Sequence, residues 1–287
     1  MPAEQSRKSV LITGCSPGGI GHALAREFHA KGLHVIATAR TKDAIQDLAE
    51  MGMSTLALEV TSQESIAEAR VEVEKLTGGR LDVLVNNAGR NCTLPATEVD
   101  LDDARLCFET NLFAVIALTQ SFIPLLIASK GLILNIGSVA AIVPYVFGSV
   151  YNASKAALHA YSQTLRLELE PFDVSVLVVV TGGVKSRIAR TDRVLEEGSL
   201  YVDIEKEFER RVKHSQDGAM EAEVYARGVV REALKGKGGL KKEVWRGNRS
   251  ALVWFVEKWV GRWLFDLILP GMFGLRRLKG IVRGRKM

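Results

Sequence analysis

The strongest constraint on the fold is a repeated alternation. Short, almost uninterrupted apolar runs are each followed by a longer stretch with helical periodicity. Runs at 9–13, 34–39, 55–60, 81–86, 132–137 and 174–180 read as strands. The last, Val174-Ser175-Val176-Leu177-Val178-Val179-Val180, contains a single polar residue. A strand with one wet face alternates polar and apolar side chains, whereas one this apolar has to be covered on both faces. Helical patterns lie between these runs at 20–31, 42–51, 63–77, 101–128 and 153–169. Strand–helix alternation with short connections predicts an α/β fold, a doubly wound parallel sheet of Rossmann type in a single domain. The ligand crevice of such a sheet lies at the carboxyl ends of its strands, where the strand order reverses. Residues 187–220 are polar and charged and read as a helical insertion over that crevice. A helix at 221–234 and a last strand at Glu243–Arg246 follow.

The motifs fall at those strand ends. Thr13-Gly14-Cys15-Ser16-Pro17-Gly18-Gly19-Ile20-Gly21 follows the first strand and opens the first helix. Glycines let the backbone approach a pyrophosphate closely, and a helix N-terminus offers free N–H groups and a positive dipole end. Gly14, Ser16, Gly19 and Ile20 are therefore candidate phosphate contacts. The second strand ends in Arg40 with no acid beside it. An acid there would grip both ribose hydroxyls of NAD, while an arginine pairs with a 2′-phosphate, so NADPH/NADP+ is the expected cofactor. Asn86-Asn87-Ala88-Gly89 ends the fourth strand, and its small residues leave room for a ribose or base against the backbone. Of the five tyrosines only Tyr151 has a lysine four residues on, Lys155, and Ser138 lies thirteen residues upstream. Positions i and i+4 share a helix face. A phenol is a poor acid at neutral pH, and a nearby ammonium is expected to lower its pKa.

In this order and at these distances the glycine loop, Asn87-Ala88-Gly89, Asn111, Ser138 and Tyr151/Lys155 resemble the short-chain dehydrogenase/reductase family over about residues 9–186. The resemblance implies that Tyr151 donates the proton in reduction and that Ser138 hydrogen-bonds the substrate carbonyl. It also implies that Lys155 binds the nicotinamide ribose and Asn111 holds a water in a proton relay. Asn87, Ala88, Gly89, Tyr151 and Lys155 then touch cofactor, Glu59 and Val60 lie at the adenine, and Val184 and Ser186 at the carboxamide and phosphate. Three departures stand out: one extra residue in the glycine loop, Glu59 where the family usually has Asp, and Thr181-Gly182 where it more often has Pro-Gly. Wording such as Ala37-Thr38-Ala39-Arg40 and the Trp-rich end resembles the fungal NADPH-dependent 1-acyldihydroxyacetone phosphate reductase branch. That likeness implies a lipid ketone as substrate, in the cytoplasm or on an ER or lipid-droplet surface. The alternatives are a ketoreductase or dehydrogenase of fungal secondary metabolism, a same-fold cyclase or isomerase without net redox change, and a membrane-surface scaffold with a vestigial fold.

Length and composition agree with one large domain, since the chain has 287 residues and is 47% hydrophobic. The polar stretch 1–9 predicts no signal peptide. Cys15, Cys92 and Cys107 have no metal-type spacing and read as free thiols in a reducing compartment. The net charge of +5 is unevenly spread: fourteen Lys/Arg and three acids fall in 235–287. The chain is accordingly divided into a domain at 1–250 and a Trp-rich amphipathic, basic tail at 251–287. All four tryptophans lie between 245 and 263, and apolar residues of 251–270 recur at helical spacing opposite Glu257, Lys258, Arg262 and Asp266. Four charges argue against spanning a bilayer. An amphipathic helix in a membrane interface, with the basic stretch 276–286 favouring anionic lipid, is one expectation. Internal packing on the pocket or a homo-oligomer contact is the other. Nothing resembles a nucleic-acid-binding pattern. Substrate choice is expected to reside in 141–149, 187–220 and the tail.

Overall fold

In the computed structural model, residues 7–189 and 192–285 are described; most of the polar N-terminal stretch, two residues of the insertion and the last two residues lie outside them. Seven strands form one sheet: β1 (Ser9–Ile12), β2 (His34–Ala39), β3 (Ser54–Ala57), β4 (Val83–Asn86), β5 (Leu132–Ile136), β6 (Ser175–Thr181) and β7 (Glu243–Arg246). Their order is β3-β2-β1-β4-β5-β6-β7 and every pairing is parallel. The order reverses between β1 and β4, the place where a doubly wound sheet opens its crevice. The strands at 9–13, 55–60 and 81–86 are shorter than their apolar runs, because the trimmed residues turn into the connecting loops.

Helices cover both faces. They are α1 (Ile20–Ala30), α2 (Gln46–Glu50), α3 (Gln63–Thr77), α4 (Leu101–Phe108), α5 (Ala114–Ser129), α6 (Ser149–Glu168), α7 (Glu205–Lys213), α8 (Ala222–Ala233), α9 (Ser250–Phe255), α10 (Trp263–Met272) and α11 (Leu275–Gly284). One core lies between the sheet and α1/α8, with Phe28, Leu24, Tyr225 and Val229 against Val10, Ile12 and Leu134. The opposite core sets Phe122, Leu118 and Leu126 of α5 and Val73 of α3 against Leu11, Leu84 and Ile133. Each fully buried side chain of this size contributes about 1.5–3 kcal/mol. The stretch Leu101–Ser129 is apolar and long enough to cross a membrane, yet its Leu118, Phe122, Leu125 and Leu126 are spent on this core.

Two helices are broken where the sequence predicts continuous ones. The helix expected over 101–128 is interrupted by a π turn at Glu109–Phe113, the turn that carries Asn111. The single amphipathic helix expected over 251–270 is broken. α9 winds into a π turn at Val256–Val260, Gly261 takes φ +107°, and the chain restarts as α10. Only glycine adopts that backbone without strain, so Gly261 divides the stripe. Val253, Val256, Phe265, Leu269 and Phe273 turn inward onto Val139, Val143, Val178 and Val180. Trp259 and Trp263 stay 73% and 61% exposed.

Candidate active site

The carboxyl ends of the central strands open into one cleft of about 600 Å³. All fourteen residues expected to touch cofactor line it. The glycine loop enters with Gly14 at φ +71° and Gly18 at φ +72°, backbone conformations that L side chains rarely adopt. A Cβ on Gly14 would lie 3.0 Å from Ala88 Cα, so loop and strand-end turn pack backbone to backbone. Asn87 Nδ2 donates to the carbonyls of Thr13 (2.7 Å) and Gly14 (3.0 Å). Thr13 Oγ1 accepts from the amides of Asn87 (3.0 Å) and Ala88 (2.9 Å). Asn86 Nδ2 donates to Asn135 Oδ1 at 2.8 Å, tying β4 to β5. Gly19 is the N-cap of α1 and no side chain caps that helix, so its first amides keep their capacity for an anion.

Arg40 stands exposed at the end of β2, on the rim of the same cleft. Glu59 Oε1 accepts from the Thr61 amide (3.1 Å) and hydroxyl (2.9 Å), so this carboxylate is occupied in fixing its own turn. Val184 and Ser186 follow β6, and the Ser186 amide donates to Gln216 Oε1 at 3.1 Å. The insertion thereby folds back over the cleft. Its far part is held by Asp103, which pairs with both Arg90 and Arg193.

At the other end of the cleft stand Ser138, Tyr151 and Lys155. Helix α6 begins at Ser149, four residues before the expected start, so both Tyr151 and Lys155 sit in regular helix. Burial pushes the Tyr151 phenol up to about 12, while its hydrogen bond with Ser138 and the charge of Arg211 pull it down. The expected lowering by Lys155 does not prevail. Lys155 is itself 4% exposed, donates from Nζ to the Ile136 carbonyl at 2.9 Å, and is pushed down to about 8 by burial. Desolvation outweighs charge pairing for both groups. Tyr151 is therefore a protonated phenol throughout the neutral range.

Asn111 lies behind the cleft wall, 1% exposed. Its Nδ2 donates to the Arg90 carbonyl and to Ser154 Oγ, both at 2.9 Å, and its Oδ1 accepts from the Arg90 amide at 2.8 Å. The side chain is thus committed to joining the π turn, the fourth strand's end and α6.

Some groups at the site have no signature in sequence. His159 Nε2 accepts from the Ser138 amide at 3.2 Å, and burial holds its pKa at about 4, so the ring is neutral. Gly137 makes room for it, since any Cβ there would collide with the imidazole. Arg211, His214 and Arg249 also line the cleft, from charged segments where nothing separates a site residue from a solvated one. For His159 a faint signal existed: it lies one further helical turn past Lys155.

A glycine-lined cleft at the reversal point of a doubly wound sheet, ending on a phenol and an ammonium, defines a nicotinamide-dependent oxidoreductase. The chain belongs to the short-chain dehydrogenase family, whose model, described as short chain dehydrogenase, matches residues 8–196. It is 41% identical to the short-chain dehydrogenase srdE of Neurospora crassa over 96% of each chain. It is 44% identical to the NADPH-dependent 1-acyldihydroxyacetone phosphate reductase of Schizosaccharomyces pombe over 70% of each. Among solved structures it is similar to a metagenomic short-chain oxidoreductase in complex with NADP, at 27% identity and a TM-score of 0.66, covering 83% of this chain and 96% of that one.

Proposed function

We propose that the protein is an NADP(H)-dependent oxidoreductase interconverting a ketone and a secondary alcohol, with a hydrophobic, lipid-like ketone as substrate. The observation that carries this is the meeting of Ser138, Tyr151 and Lys155 in the cleft that the glycine loop and Arg40 line. The NADPH-dependent S. pombe relative, the NADP-bound structural neighbour and Arg40 support the cofactor. Its acyl-dihydroxyacetone phosphate is the finer substrate reading that the same relative supports.

Gly14, Ser16, Gly19 and Ile20 would hold the pyrophosphate, Arg40 the 2′-phosphate, Glu59 and Val60 the adenine side, and Asn87, Ala88 and Gly89 the ribose. Val184 and Ser186 would meet the nicotinamide carboxamide and a phosphate of the cofactor. When bound there, NADPH would supply the hydride that the carbonyl carbon accepts. Ser138 Oγ orients the carbonyl oxygen, and Tyr151 gives its phenolic proton to that oxygen as negative charge develops. Lys155 stabilises the phenolate left behind, and Asn111 fixes the relay behind it.

The pH profile tests the assignment of roles. With Tyr151 near 12 and Lys155 near 8, the phenol keeps its proton while the ammonium loses its own as pH rises through about 8. The kcat/KM for reduction is therefore expected to fall above about pH 8. Lys155→Met should lower the rate and remove that inflection; an unchanged inflection in the variant would reassign it.

Arg40→Asp replaces an attraction for a 2′-phosphate by a repulsion. The ratio of kcat/KM with NADPH to that with NADH is expected to drop about 100-fold, as for loss of a charge-assisted pair. A ratio that stays put removes Arg40 from cofactor selection.

The tail, 251–287, is proposed as an appended membrane-contact element. Trp254, Phe255, Trp259, Trp263, Leu267 and Ile268 are exposed apolar side chains of the kind that sit at headgroup depth. The basic stretch contributes less than its charge suggests, because Arg277 pairs with Glu207 (3.2 Å) and Arg285 with Asp203 (2.9 Å). Flotation with phosphatidylcholine/phosphatidylserine vesicles is expected to fall about fivefold in the Trp259→Ala/Trp263→Ala variant. Equal flotation of variant and parent would leave these side chains as an oligomer contact.

A further inference from the structure

Among the described residues, Arg211 is a buried cation with no salt-bridge partner. It sits near the end of α7 and is 8% exposed. Its guanidinium is stacked between two rings, with Cζ 5.3 Å from the centroid of Tyr145 and 5.8 Å from that of Phe273. Nε donates to the Val146 carbonyl at 2.8 Å, which fixes the plane of the group. No hydrogen bond engages the terminal nitrogens among the described residues, and Arg211 lines the cleft beside Tyr151.

Tyrosines aside, the nearest titratable groups that line the cleft with it are His214, Arg249 and one acid, Asp217. His214 stands edge-on to Phe273 at 5.6 Å and meets Arg249 Nη1 through its Nε2 at 2.8 Å. Arg249 is exposed at the cleft rim, on a backbone at φ +63°, a left-handed conformation that a non-glycine residue holds only under strain. Asp217, the acid at this end of the cleft, acts on His214 and not on Arg211. Burial lowers Arg211 only to about 10, so it stays charged at neutral pH.

Burying an unpaired guanidinium costs several kcal/mol, and fixed aromatic stacking recovers only part of this. A guanidinium whose plane is fixed and whose outer fork is open matches a carboxylate or phosphate through two parallel hydrogen bonds. We propose that Arg211, assisted by His214 and Arg249, seats an anionic group of the substrate, a carboxylate or a phosphate, close to the carbonyl that Tyr151 protonates. The inference rests on the oxidoreductase reading and narrows it: the ketone is an amphiphile whose charged end lies in the cleft, not a neutral lipid.

Two measurements on the full chain test this. The first is binding without turnover, in the presence of NADPH: thermal shifts with dodecyl phosphate, with dodecanoate and with dodecanol. Both anions should raise Tm more than the alcohol does, and Arg211→Gln should abolish the difference. The stronger of the two anions identifies the group. The second is turnover of matched ketones, palmitoyl-dihydroxyacetone phosphate against palmitoyl-dihydroxyacetone, and a β-keto acid against its methyl ester. For the pair that carries the right anion, the kcat/KM ratio should fall about 100-fold in Arg211→Gln, the loss typical of breaking a buried charge pair. Arg211→Lys should keep an intermediate ratio, which separates loss of charge from loss of fold. An equal ratio in parent and variant, or equal shifts with anions and alcohol, overturns the proposal. If the variant instead raises only the KM for NADPH, the cation belongs to the cofactor and the proposal also fails. Arg211-dependent anion shifts with no ketone reduced would leave the anion seat standing while the reductase reading falls.

Discussion

Replacing Tyr151 by phenylalanine should reduce NADPH-dependent ketone reduction by about a thousandfold, within the range that a positioned general acid contributes. The substitution removes one oxygen from a half-buried side chain, and Ser138 keeps its bond to the Ala140 amide at 3.1 Å. The cleft around it stays intact, so NADPH binding, followed by nicotinamide fluorescence, should change by no more than about threefold. The phenol carries its proton across the whole neutral range and, unlike the other cleft phenol Tyr145, hydrogen-bonds with Ser138. Near-normal turnover by the variant would move the proton source elsewhere.

Gly21→Ala should cost both stability and cofactor. A Cβ at Gly21 would lie under 3.0 Å from Asn87 Nδ2 and from the Gly14 carbonyl oxygen. Those are the atoms through which Asn87 holds the glycine loop. Either α1 shifts away from the sheet or Asn87 lets go, and backbone cannot yield as a flexible side chain would. Overpacking of this kind costs about 2–3 kcal/mol. For a domain of this size that is a fall in Tm of about 3–5 °C. NADPH affinity should drop at least about 30-fold, because the anion-facing amides of α1 move with the loop. Unaltered affinity with lowered Tm would show that the loop binds phosphate independently of its seat on Asn87.

The sheet was readable because its central strands are short apolar runs, and Val174 to Val180 admits no wet face. Cofactor contacts were readable for a related reason. Close approach of backbone to a ligand demands glycine or alanine at fixed places, and small residues after a strand leave a mark. Asn111 was visible by type and distance, but not its commitment to Arg90 and Ser154, which arises only when a π turn swings it inward. Arg211 was hidden inside Glu205–Lys213, a segment so rich in charge that one buried member looks like its solvated neighbours. The tail misled for a geometric reason. Apolar spacing continues across Gly261, but the backbone does not, and the stripe splits into an inward set and an exposed set. The direction of the Tyr151 shift was also beyond sequence, since it depends on how much water the fold excludes from the phenol.

Phe273 belongs to the tail, yet it forms one face of the stack that holds Arg211. The proton-transferring residues, by contrast, come from the body of the sheet and from α6. A lineage could therefore exchange its last few dozen residues and alter which molecules are accepted while the redox machinery stayed as it was. A trimmed C-terminus would instead strip Val139, Val143, Val178 and Val180 of their cover, so substrate range and the stability of β6 would change together.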